Sequence, residues 1–159
     1  MLNTTTPSIL EKIQNWPSAE SKEWVETFLE KDISRCEISA VVIFGSIVRN
    51  VRYCADVDLL IIYSGKKPKI YPPMDVDVRM YEEGAVEGLI RDGNEVLGWA
   101  IQFGILLYEQ NFYWNDISRR WKNHLPLPSP VEAEKRAERA RLLLEDLEKI
   151  GDEDAINEQ

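Results

Sequence analysis

Two short apolar runs, Ala40–Phe44 and Leu59–Tyr63, stand out along the chain. Both are rich in Val and Ile, the mark of strands buried on both faces. They predict a first strand over about Glu37–Phe44 and a second over Val57–Tyr63. Met74–Tyr81 alternates apolar and polar residues, so Val76, Val78 and Met80 face one way and Asp75, Asp77 and Arg79 the other. Ile105–Tyr108 reads as a last short strand. Between these runs the apolar spacing turns helical. Ser8–Trp16 forms a short helix ended by Pro17, part of a loosely attached lead-in. Ser18 is an N-cap, with Glu20 and Glu23 suited to the positive end of the helix that follows, about Ala19–Ser34. Its stripe is Trp24, Val25, Phe28 and Leu29. A further helix, Glu82–Arg91, stops at Asp92-Gly93; Asn94 caps Glu95–Phe103, which Gly104 closes. Ile117–Asn123 continues as a helix behind Phe112-Tyr113-Trp114.

Leu125-Pro126-Leu127-Pro128-Ser129-Pro130 is a stiff spacer and the one clear boundary. Beyond it Ala133, Ala137, Ala140, Leu144 and Leu147 recur with 4-3-4-3 spacing, a seam that needs a partner. Gly151 should end that helix and Asp152 begin another. The expected organisation is therefore a domain over residues 1–125, a Pro-rich linker over 126–130 and a C-terminal helical extension over 131–159. The expected class is α/β (α+β): a small mixed β-sheet flanked by helices.

Composition narrows the partners. The chain of 159 residues has a formal net charge of -9. That argues against bulk binding of DNA or RNA, which requires a basic footprint. It leaves open a nucleotide whose phosphates are screened by a metal. Cys36 and Cys54 have no metal-ligand spacing and form no disulfide framework, and no leader or membrane-spanning run is evident. The expectation is a cytoplasmic protein with reduced thiols and no membrane association.

The candidate chemistry lies between the two buried strands. Asp56 and Asp58 are two apart on a strand, so both carboxylates face one side and Val57 faces the core. Side by side they repel unless a cation lies between them, and Mg²⁺, which takes carboxylate and phosphate oxygens, is the simplest one. Gly45 lets the backbone approach a ligand, and Ser46 offers a hydroxyl and an N–H at the start of a short helix. Arg49 and Arg52 sit in the connecting loop, where Arg49 stands near phosphate or is a solvated charge or a salt bridge to an Asp. Lys66, Lys67 and Lys69 form a basic turn, read chiefly as a solvated hairpin loop. Trp16 and Trp24 suit core packing better than base stacking, as do Trp114, Ile117 and Trp121. His124, the only histidine, has no companion ligand near it.

Phe44-Gly45-Ser46, a basic loop and then Asp56-Val57-Asp58-Leu59-Leu60-Ile61 resemble the nucleotidyltransferase superfamily related to DNA polymerase β, and within it the minimal nucleotidyltransferases. Nine residues separate Ser46 from Asp56, one fewer than in the family's usual loop, and Asn50 stands where many members carry Gly. The match runs from Val41 to about Val86, and Gly104–Glu109 extends it weakly. The resemblance implies transfer of a nucleoside monophosphate, AMP from ATP by default, onto a hydroxyl of a protein or small molecule. It implies two Mg²⁺ ions held by Asp56, Asp58 and Asp77, with Asp77 also accepting the hydroxyl proton and Asp75 its reserve. Gly45, Ser46 and Arg49 would hold the nucleotide phosphates. The helical extension faintly resembles the start of a HEPN-type domain, the usual companion of minimal nucleotidyltransferases. That implies an antitoxin-like role beside a HEPN-like partner, or a homodimer through the C-terminal helix. Two other readings are a catalytically inactive partner-binding form of the same fold and an aminoglycoside-type antibiotic nucleotidyltransferase.

Overall fold

The computed structural model describes residues 7–49 and 55–157. It forms two compact units, Met1–Leu125 and Pro126–Gln159. The first is a mixed α/β unit organised around four strands: β1 (Ile38–Phe44), β2 (Val57–Tyr63), β3 (Val76–Glu82) and β4 (Ile105–Glu109). They lie in the order β3-β2-β1-β4. β1 pairs antiparallel with β2 and β4, whereas β2 and β3 run parallel. β1 is buried along its whole length, and β2 at all but Asp58 and Tyr63. Central strands covered on both faces need such unbroken apolar runs.

The two sheet faces carry separate core layers. On one, Val41, Ile43, Val57, Leu59 and Ile61 pack with Val25, Phe28 and Ile33. On the other, Val42, Leu60 and Ile62 pack with Ile90, Leu97, Ile101, Trp114 and Ile117. The first helix, α1 (Pro7–Lys12), is shorter than the expected Ser8–Trp16. Its segment is not loosely attached, because Leu10 and Ile13 are buried in the first core layer. α2 (Ala19–Thr27) starts at Ser18 as expected, but Ser21, not a glutamate, completes its capping box. The coil then widens into a π-helical stretch, Phe28–Asp32, and tightens into a 3-10 turn, Ile33–Arg35. Trp24 stacks on Phe28 with ring centroids 5.4 Å apart, which makes it a packing residue.

On the other face lie α3 (Val86–Arg91), α4 (Glu95–Phe103) and α5 (Tyr113–Trp121). A 3-10 turn, Glu83–Ala85, occupies the expected first turn of α3. Gly93 ends α3 with φ +87°, and Asn94 caps α4 by accepting the Leu97 amide at 3.0 Å. α5 begins four residues before the expected Ile117. The Lys66–Lys69 stretch is not a hairpin loop. Because β2 and β3 are parallel, Ser64–Asp75 is a crossover.

The second unit contains one helix, α6 (Pro130–Asn157). It passes through Gly151, the expected end. One glycine costs a helix only about 1 kcal/mol relative to Ala, too little to break a run of good helix formers. The helix–Gly-Asp–helix pattern that suggested a second domain is therefore one continuous helix. No helix among the described residues is long and apolar enough to cross a membrane.

Candidate active site

β1 ends where β2 begins, and the antiparallel register sets Phe44 opposite Asp58. Gly45 follows with φ +81°, a conformation open to glycine at little cost. A Cβ at position 45 would lie 2.2 Å from Asp58 Oδ2, so the turn and the carboxylate occupy the same small space. Ser46 opens a 3-10 turn through Arg49, held by Val48 N–H donating to the Gly45 carbonyl at 3.3 Å. The backbone of Arg49 closes that turn; its side chain, together with Asn50, Arg52 and Cys54, lies outside the described residues.

The parallel register of β2 and β3 sets Asp58 opposite Asp77. Cross-strand neighbours in register share a face, so the two carboxylates project on the same side. Asp58 is half-buried while Asp56 and Asp77 are exposed. Burial, then the charges of Asp77 and Asp56, push the Asp58 carboxyl up to about 6, with Arg79 pulling the other way. A cation beside such a carboxyl would favour its ionised form.

Arg79 is the residue that sequence reasoning left without a role. It contacts Asp77 Oδ2 at 3.3 Å. The signal was present in the i, i+2 spacing, which puts Asp77 and Arg79 on one face of β3. No three His, Cys, Asp or Glu side chains among the described residues converge closely enough to hold a metal ion. The donor set is nonetheless the all-oxygen one that Mg²⁺ takes.

Asp75 is turned elsewhere. It precedes β3, and one carboxylate oxygen accepts the Ser18 hydroxyl at 2.5 Å, at the start of α2. It does not share Asp77's side as the alternation implied, so Asp77 is the carboxylate that faces Asp58. The lysines are also apart from this cluster. They follow the end of β2, and Lys69 lines a separate cavity of about 400 Å³ with Arg35 and Cys36, which precede β1. The lysines and this cavity lie at the opposite end of the central strands from Gly45, about 20 Å away for strands of this length. Cys36 is a free thiol.

No model of a known protein family matches the chain, and no curated protein does.

Proposed function

We propose that this protein is a nucleotidyltransferase that moves a nucleoside monophosphate onto an acceptor hydroxyl. The observation that carries the reading is the meeting of Gly45, Asp58 and Asp77 at one end of the sheet, where backbone able to approach phosphate adjoins facing carboxylates. The elevated Asp58 carboxyl supports it, because a cluster that repels itself is built for a cation.

In this reading the turn at Gly45 and Ser46 cradles the triphosphate, with Arg49 contributing charge from the end of the same turn. Asp56, Asp58 and Asp77 hold Mg²⁺, which when bound polarises the phosphoryl oxygens and acidifies the attacking hydroxyl. Asp77, at the open edge of the cluster, accepts the acceptor's proton. The acceptor oxygen bonds to the α-phosphorus, the bond from that phosphorus to the bridging oxygen breaks, and pyrophosphate leaves. Arg79, which contacts Asp77 at 3.3 Å, orients that carboxylate toward the hydroxyl. ATP is the default donor by resemblance, and the free Cys36 thiol suits a cytoplasmic location.

A second reading keeps the fold and dispenses with catalysis, making the chain an antitoxin-like partner of another protein. The pairing of Asp77 with Arg79, which occupies the carboxylate a metal would need, favours it. Calorimetric titration with the four nucleoside triphosphates, with and without Mg²⁺, separates the two. Metal-dependent binding that disappears in Asp58→Asn supports the transferase. Failure of all four nucleotides to bind overturns it in favour of the non-catalytic form.

A further inference from the structure

α6 carries an apolar seam whose occupant can be argued from its own residues. Leu144 and Leu147 are 61% and 63% exposed, and their neighbours Leu142 and Leu143 are exposed as well. Ala133, Ala137 and Ala140 continue the seam and are exposed too. Leucines in this state gain by burial, and a coiled-coil seam buries them against another helix with the same spacing. The ion pairs described along α6, Arg136 and Arg139 with Glu132 and Arg141 with Glu138 and Glu145, use none of the seam positions.

Charge decides what fits. Residues 130–143 carry four cations and three carboxylates, whereas residues 144–157 carry six carboxylates and a single lysine. A parallel pair of these helices stacks acidic half on acidic half. Its flanking positions also set Arg136 of one copy against Arg141 of the other, five residues on, a like-charge contact. An antiparallel pair in which Leu144 faces Leu147 of the second copy relieves both effects. The acidic residues 144–157 then lie opposite residues 134–147, whose four cations and four carboxylates balance, and Arg141 faces Glu148 of the second copy twice over, by symmetry. The surface that complements α6 is therefore α6 itself, turned end for end.

We propose that the protein self-associates through an antiparallel α6–α6 coiled coil centred on Leu144 and Leu147. Light scattering after size exclusion should give about twice the 18.4 kDa chain mass. Leu144→Asp/Leu147→Asp should return the mass to that of one chain. Orientation is read separately, in a Cys36→Ser/Cys54→Ser background. Leu144→Cys mixed with Leu147→Cys should oxidise to a disulfide joining the two variants, and neither variant alone should cross-link efficiently. A single-chain mass for the natural sequence overturns the proposal, since the seam is then covered within the chain or by a different protein. A dimer that survives both aspartates, or Leu144→Cys cross-linking to itself, overturns it equally.

Discussion

The carboxylate of Asp58 occupies the space that a side chain on Gly45 would need. A Cβ there would stand 2.2 Å from Oδ2 and 3.1 Å from the carboxyl carbon. The backbone at 45 has φ +81°, so an added methyl group is strained even before it meets Asp58. Gly45→Ala should cost about 1–3 kcal/mol of stability and displace the carboxylate on which the proposed nucleotide site depends. Urea denaturation measures the first effect. The second appears as nucleotide binding reduced beyond the loss of folded protein, and unchanged affinity would show that the Gly45–Asp58 contact has no part in the site.

The Asp58 carboxyl titrates near 6, above the ordinary carboxylate value of 3.8. The folded protein thus binds this proton more tightly than the unfolded chain does. Between about pH 4 and 6 the contribution of Asp58 to stability falls as pH rises, and above that range the ionised group, beside Asp77 and Asp56, is a standing cost. Thermal melts across pH 4–8 should show this decline in the natural protein and less of it in Asp58→Asn. A bound cation removes the penalty, so Mg²⁺ at pH 8 should raise the melting temperature of the natural protein and leave that of Asp58→Asn nearly unchanged. Equal profiles for the two proteins would mean that neither burial nor the neighbouring carboxylates raise the Asp58 carboxyl.

What the sequence disclosed and what it hid divide along one physical line. Local patterns were legible. Val57–Tyr63 is a strand over its expected span because its apolar run permits little else between two core layers, and Asn94 and Gly104 bound α4 because capping is decided within a few residues. The facing of Asp58 and Asp77 was implied by the resemblance, because periodicity alone put Asp75 and Asp77 on one side and is silent on the register between strands. Hidden features depend on contacts far apart in the chain. Nothing local to Asp75 announces Ser18, 57 positions away. The start of α5 departs from the expectation for a different reason, a cap supplied from a strand only six residues before Asn115. Its N-cap position is Phe112, with φ 57° and no side-chain cap, and the cap comes from Glu109 on β4.

That cap gives a third expectation. Glu109 is 7% exposed, and its Oε2 accepts the Asn115 amide at 2.9 Å. A carboxylate placed there satisfies an otherwise orphaned N–H and complements the helix dipole. Glu109→Ala should cost about 1–2 kcal/mol, read as a lower urea midpoint with unchanged slope. Glu109→Gln keeps an acceptor and should recover part of the loss. If both variants match the natural protein, α5 is held by packing of Trp114 and Ile117 alone.

Gly151 lies inside α6 and not at its end. Alanine has the higher helix propensity by about 1 kcal/mol, so Gly151→Ala should increase helicity by circular dichroism. A left-handed glycine cap would respond in the opposite sense, because an alanine there is strained. The sign of the change therefore distinguishes a continuous helix from one that breaks at Gly151-Asp152.

Asp75 and Asp77 provide the sharpest separation of structure from chemistry, because they are two residues apart and have different partners. The Ser18 hydroxyl donates to Asp75 and accepts from the Ser21 amide, so Asp75 orients the cap of α2. Removing a hydrogen bond to a charged group costs about 1.5–3 kcal/mol, and Asp75→Ala should lose stability on that scale while its folded fraction binds Mg²⁺-nucleotide normally. Asp77 is exposed and contacts only an exposed arginine at 3.3 Å among the ion pairs described, a kind of pair worth about 1 kcal/mol or less. Asp77→Asn should therefore melt within a few degrees of the natural protein yet lose nucleotidyl transfer. Parallel melts and pyrophosphate-release assays on the two variants decide the matter. Transfer lost with Asp75 and retained with Asp77 would reassign the third carboxylate to the residue that the fold has tied to α2.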